Sequence, residues 1–139
     1  MSAPSLTGSC GCGAVRFEVS EPFTDAVYCH CTRCQKRTGT AAAVSALAVP
    51  GSVRVTAGED RLRDWKPPGG LAKTFCADCG SHLFTREPES GEVRAVRFSA
   101  VDGDPGVRPS VHQFVAYAAP WEDIPDDGLP RFDERRPAR

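Results

Sequence analysis

The chain has 139 residues, 40% of them apolar, with 17 basic and 18 acidic side chains and a formal charge of −1. That length suits a single domain with one core, and the balanced charge provides no field for gathering phosphates, so nucleic acid is not an expected partner. The longest apolar stretch, "TGTAAAVSALAVPG", ends at Pro50 and Gly51, well short of the roughly 20 residues a membrane-crossing helix needs.

The opening "MSAPSLTGSC" has neither the basic start nor the apolar centre of a secretion signal, so a cytoplasmic location is expected. "SCGCGAVRF" then places Cys10 and Cys12 just ahead of a first strand. In "AVRFEV" (14–19) Val15, Phe17 and Val19 alternate with Arg16 and Glu18, the period of a strand with one wet face. "YCHCTRCQKRTG" (28–39) packs Cys29, Cys31 and Cys34 together and opens the one expected helical segment, with Thr32 as N-cap and Gly39 as stop. Strand-like runs follow at 41–49, 52–57, 61–65, 72–76, 82–86, 92–101 and 111–118, separated by turns at "PGS", "PPGG", "EPESGE" and "DGDPG". "FCADCGSHLF" sets Cys76-x2-Cys79 between two of these runs. The domain is expected to span 1–125, and the charged, Pro-rich segment 126–139 to form a loosely ordered tail.

Seven thiols are an odd number, so they cannot all pair within one chain, and without a secretion signal a disulfide framework is the weaker reading. A division into four and three matches one closed and one open metal site. Tetrahedral zinc with bonds of about 2.3 Å wants its sulfurs about 3.8 Å apart, a separation that Cys76-x2-Cys79 reaches across a tight turn. Gly80 would permit a positive φ there and aim backbone N–H groups at the thiolates. Cys10 and Cys12, bent by Gly11 and Gly13, complete a four-thiolate structural site. The grouping Cys10, Cys12, Cys29 and Cys31 on one ion remains an alternative on spacing alone.

Cys29, Cys31 and Cys34 then stand as a three-thiolate set. With a divalent ion the centre carries a charge of −1, which makes it a weak Lewis acid but a good holder of a substrate thiol, deprotonated on binding and still basic enough to attack carbon. The competing reading is a second structural zinc completed by His30, His82 or a distant carboxylate.

"GSCGCGAVRF", "CHCTRCQKRTG", "FCADCGSHLF" and "VDGDPGVRPSVHQFVAYAAPW" resemble, in order and spacing, the glutathione-dependent formaldehyde-activating family, also called the centromere-protein-V type, over residues 7 to 125. The resemblance implies a mainly β fold of several coiled antiparallel sheets in one small zinc-binding domain with little helix. It implies a structural zinc on Cys10, Cys12, Cys76 and Cys79 and a catalytic zinc on Cys29, Cys31 and Cys34. It also implies a carbon-sulfur lyase activity that joins formaldehyde to glutathione as S-hydroxymethylglutathione, so the expected partners are a small thiol and a small aldehyde. Lys73 departs from the arginine often found there in relatives, which keeps the charge and loses the guanidinium fork. His30 and His112 are candidates for moving the proton. Arg33, Lys36 and Arg37 are candidates for glutathione carboxylates, and Trp65, Phe84 and Trp121 for a pocket lining or the core. The alternative function is a zinc-stabilised binding module without catalysis.

Overall fold

The computed structural model of the protein describes residues 6–137. Along it run β1 (Leu6–Ser9), β2 (Arg16–Val19), β3 (Asp25–Cys29), α1 (Thr32–Thr38), β4 (Ala43–Leu47), β5 (Val53–Ala57), β6 (Leu62–Trp65), β7 (Ala72–Cys76), β8 (His82–Arg86), β9 (Val93–Arg97) and β10 (Val111–Gln113). The fold is mainly β, as the alternating runs require. Three strands pair as β1-β2-β5 and seven as β10-β3-β4-β9-β8-β7-β6. All neighbours are antiparallel except β10, which lies parallel to β3.

The two sheets meet through their apolar faces. Phe17 of β2 and Phe84 of β8 pack edge to face, centroids 5.0 Å apart at 76°, and Val15, Val19, Leu83 and Val96 close around them. Such ring pairs add about 0.5–1.5 kcal/mol beyond the area they bury. Phe84 is therefore core, while Trp65 and Trp121 are exposed.

The opposite face of the large sheet is polar. Cys29 pairs with Ala43, Ser45 with Arg97, Ala95 with Thr85, and Thr85 with Lys73. Because side chains alternate with a period of two, this register puts Cys29, Ser45, Arg97, Thr85 and Lys73 on one side, under α1.

Several local expectations shift by a few residues. The run 92–101 is strand only to Arg97 and then turns through a short 3-10 segment, as does 111–118 after Gln113. The N-cap of α1 is Cys31, one residue before Thr32, with Gly39 closing the helix as expected. β1 and β3 carry no alternation strong enough to announce them. β1 forms because β2 pairs along it, and a Cβ on Gly8 would lie 2.2 Å from the Phe17 ring, so the approach of the two strands demands glycine.

The segment 126–137, expected to be loosely ordered, is bound to the sheet instead. β10 is an edge strand, and edge N–H groups need partners. His112 donates its backbone N–H to Pro130, Phe114 to Glu134, and Phe132 donates to His112. Arg136 then donates to Asp25 at 2.5 Å and to Ser110 at 3.1 Å. Burial pushes the Asp25 carboxyl up, but hydrogen bonds from Ser110 and Arg136 outweigh it and hold the group below its ordinary value.

Arg136→Ala is expected to cost about 1–3 kcal/mol at neutral pH, measured by urea unfolding. A depressed carboxyl stabilises the fold fully above its unfolded value of 3.8 and loses that contribution as pH falls through the lower folded value. The gap between wild type and Arg136→Ala should therefore narrow in acid; a gap independent of pH would contradict the ion pair.

Candidate functional site

The seven cysteines gather into two separate groups. Cys10, Cys12, Cys76 and Cys79 bring their sulfurs within 4.8 Å of one another, and so do Cys29, Cys31 and Cys34. The alternative that mixed Cys10 and Cys12 with Cys29 and Cys31 does not match this division.

In the first group Cys10 and Cys12 leave β1, while Cys76 and Cys79 form the turn from β7 to β8. Their sulfurs lie 3.6 Å apart for Cys10 and Cys12 and 4.0 Å for Cys12 and Cys76, which suits a tetrahedral thiolate shell. Gly80 takes the positive φ of 77° that the turn requires, yet its N–H goes to the Cys76 carbonyl and not to a sulfur. One backbone donor to sulfur is Val15, at 3.2 Å from Cys10 Sγ; Cys12 and Cys79 receive backbone hydrogen bonds of their own. The Ser81 hydroxyl reaches Cys79 at 3.2 Å and accepts from the Gly11 N–H at 2.8 Å, so the two knuckles brace each other.

The second group is built around a helix start. Cys29 ends β3, Cys31 is the extended N-cap of α1, and its sulfur accepts from the Cys34 N–H at 3.4 Å. Capping geometry brings an N-cap side chain over the third helical residue, which is why a Cys-x2-Cys spacing works here. Crowding splits the thiols. Hydrogen bonding with its two neighbours, then burial, drives Cys29 far up, whereas hydrogen bonds from Cys29 and Cys34 draw Cys31 far down. Three sulfurs this close shed all their protons only with a cation among them, so both groups fit a metal ion.

A chain of hydrogen-bonded side chains, with buried histidines and an exposed carboxylate at its end, starts at the residue between Cys29 and Cys31. Asp127 Oδ2 lies 2.8 Å from His112 Nε2, and His112 Nδ1 lies 2.8 Å from His30 Nε2. A carboxylate held below its ordinary value by that hydrogen bond is an acceptor. His112 therefore donates from Nε2; in the tautomer in which it accepts at Nδ1, His30 donates from Nε2 and its Nδ1 keeps a lone pair. Tyr28 stacks on His112 at 4.7 Å and 9°, and Gln35 ties the His30 and Tyr117 carbonyls together. Burial first, then the influence of His112 and Arg131, holds His30 below the ordinary histidine value.

His30 and His112 line a cavity of about 540 Å³ with Tyr28, Thr40 and Trp121. A larger one, about 980 Å³, has Tyr28 and Thr40 in its wall as well, together with His82 and Arg97. Cys29, Cys31 and Cys34 line neither cavity; they stand where β3 ends and α1 begins. Among the candidate cations Arg33 and Lys36 point to solvent, while Arg37 turns inward, its Nη2 3.6 Å from Cys34 Sγ and its Nη1 3.4 Å from His82 Nδ1. Asp127, which meets His112, and Arg97, which lies within electrostatic reach of Cys34 and Cys29, had no local signal that could have marked them.

If the first group staples the fold, chelating the metal or replacing Cys76 with Ser should lower stability by several kcal/mol, on the order seen for structural zinc. Cys31→Ser should leave the thermal midpoint nearly unchanged. Equal losses in the two variants, followed by circular dichroism, would contradict that division of labour.

Among known proteins, the family described as glutathione-dependent formaldehyde-activating enzyme matches residues 5–117. A Halomonas elongata protein provisionally named as such an enzyme is 30% identical over 128 residues, covering 86% of this chain and 80% of its own. A crystal structure of a Rhodobacter sphaeroides protein superposes with a TM-score of 0.58 at 25% identity, over 90% of this chain and 98% of that one.

Proposed function

This chain belongs to the glutathione-dependent formaldehyde-activating enzyme family, and from that premise we propose that it joins a small thiol to a small aldehyde at the Cys29, Cys31, Cys34 group. Glutathione and formaldehyde, giving S-hydroxymethylglutathione, are the substrates that the family name favours, and the activity is that of a carbon-sulfur lyase read in the forming direction. The observation that carries the reading is a three-sulfur group, one ligand short of a closed shell, with the next residue in sequence after Cys29, His30, hydrogen-bonded to His112.

Cys29, Cys31 and Cys34 would hold zinc, and Cys10, Cys12, Cys76 and Cys79 a second, structural zinc. Bound at three thiolates, the ion supplies a positive centre that lowers the pKa of an incoming thiol. The chain's own residues do the rest. His30 Nδ1 takes the thiol proton as the carbon–sulfur bond forms, and returns it to the aldehyde oxygen as the carbonyl π bond breaks, so no proton is gained or lost overall. His112 and Asp127 keep His30 in the tautomer that can do this, the role a carboxylate plays behind a catalytic histidine elsewhere. Tyr28 and Trp121 give the neighbouring cavity an apolar wall against water.

The test is titration of cobalt-loaded protein with glutathione, followed spectroscopically, and then addition of formaldehyde against a protein-free control. Thiol binding should perturb the cobalt spectrum, and adduct formation should exceed the spontaneous rate. Cys31→Ser should abolish both effects; an unchanged rate in that variant, or a spectrum blind to every thiol, would favour a closed, non-catalytic zinc module. Asp127→Asn should keep the metal and the fold but slow the reaction by about tenfold or more, on the scale of general acid–base catalysis. An unaltered rate would remove the relay from the mechanism.

A further inference from the structure

Three cations converge beside the Cys29, Cys31, Cys34 group. Arg97 is only 6% exposed. It donates to Ser45 Oγ, and to Thr85 Oγ1 at 3.0 Å. Lys73 Nζ reaches the same Thr85 hydroxyl at 3.5 Å, and Arg37 Nη2 touches Cys34 Sγ at 3.6 Å. Among the described residues none of the three meets a carboxylate. The Nε atoms of both Arg37 and Arg97 are buried without any hydrogen-bond partner.

Buried like charges without counter-ions are costly, and native structures pair them. Burial and mutual repulsion draw both Lys73 and Arg97 below their ordinary values, while the charges of Cys34 and Cys29 work against that. The three thiolates can balance the three cations. A divalent ion among those thiolates then leaves two positive charges uncompensated. A bound thiolate cancels one of them, and one remains.

On that basis, and resting on the thiol reading above, we infer that Arg37, Lys73 and Arg97 form a carboxylate subsite for the thiol substrate, which enters as a dianion through its sulfur and one carboxylate. The unmet donors call for such a group. Two guanidinium Nε–H groups lack acceptors, and carboxylate oxygens have the lone pairs to accept from them. The subsite lies on the sheet face beneath α1, so it selects thiols by charge at the metal and not at the protein surface, where Arg33 and Lys36 lie. It also gives Lys73 a function: its compact charge shares the Thr85 hydroxyl with Arg97 and leaves bidentate contact to the arginines.

The experiment is isothermal titration calorimetry of the metal-loaded protein with 3-mercaptopropionate and with 3-mercaptopropionamide, which differ in the carboxylate alone, at one ionic strength. The acid should bind about tenfold more tightly or better, the worth of a charge-assisted hydrogen bond. Lys73→Met and Arg37→Met should each shrink that ratio by about fivefold, while Lys73→Arg should preserve it. Circular dichroism of each variant identifies any that fails to fold; the wild-type ratio and Lys73→Arg then still decide the matter. Acid and amide binding alike would overturn the carboxylate subsite and leave the thiol reading standing, and so would a ratio indifferent to both methionine variants. If neither compound binds, the thiol reading fails and the subsite with it.

Discussion

Everything in this molecule turns on how close thiolates can stand to one another. Sulfurs held within 4.8 Å repel as soon as two of them lose their protons, and the fold must supply positive charge or lose the arrangement. At the first group that charge can come from an ion alone, since Val15 and Ser81 are neutral donors. At the second group the protein has added cations of its own, Arg97 buried and Arg37 and Lys73 half-buried. On the proposed function, that difference separates a site that needs only to be closed from one prepared for a charged substrate.

The same contrast explains why the two groups sit where they do. The first lies at the ends of strands, joining the opening of the chain to the β7–β8 turn with two of its cysteines exposed, and a small two-layer domain gains cohesion from such a crosslink. The second lies where β3, next to the edge strand β10, hands over to α1. There a backbone N–H caps a sulfur, a polar sheet face supplies Arg97 and Lys73, and a parallel edge strand brings His112 beside His30. Placing the three-cysteine group at that junction leaves the apolar core between the sheets undisturbed.

What could be read from the sequence was local. The alternation in "AVRFEV", the turn glycines and the Cys-x-Cys and Cys-x2-Cys spacings all report on neighbours a few residues apart, and they led to a mainly β domain with cysteines in two sets. Long-range pairing was invisible. Arg97 reaches Ser45 across 52 residues and His112 reaches His30 across 82, distances that sheet register alone determines. The tail misled for a related reason: its proline and charge content resembles that of disordered segments, but β10 is an edge strand with donors to satisfy, and Pro130, Phe132 and Glu134 satisfy them. Asp127, the end of the histidine chain, lies in that segment.

The central claim is that the seven cysteines divide into a closed set of four and an open set of three. Anomalous diffraction at the zinc edge, from crystals grown with a small thiol present, tests it most directly. The account predicts two peaks per chain, one surrounded by the sulfurs of Cys10, Cys12, Cys76 and Cys79, the other by those of Cys29, Cys31 and Cys34 with the added thiol as fourth ligand. A single peak, or a second ion completed by a protein side chain, would contradict it.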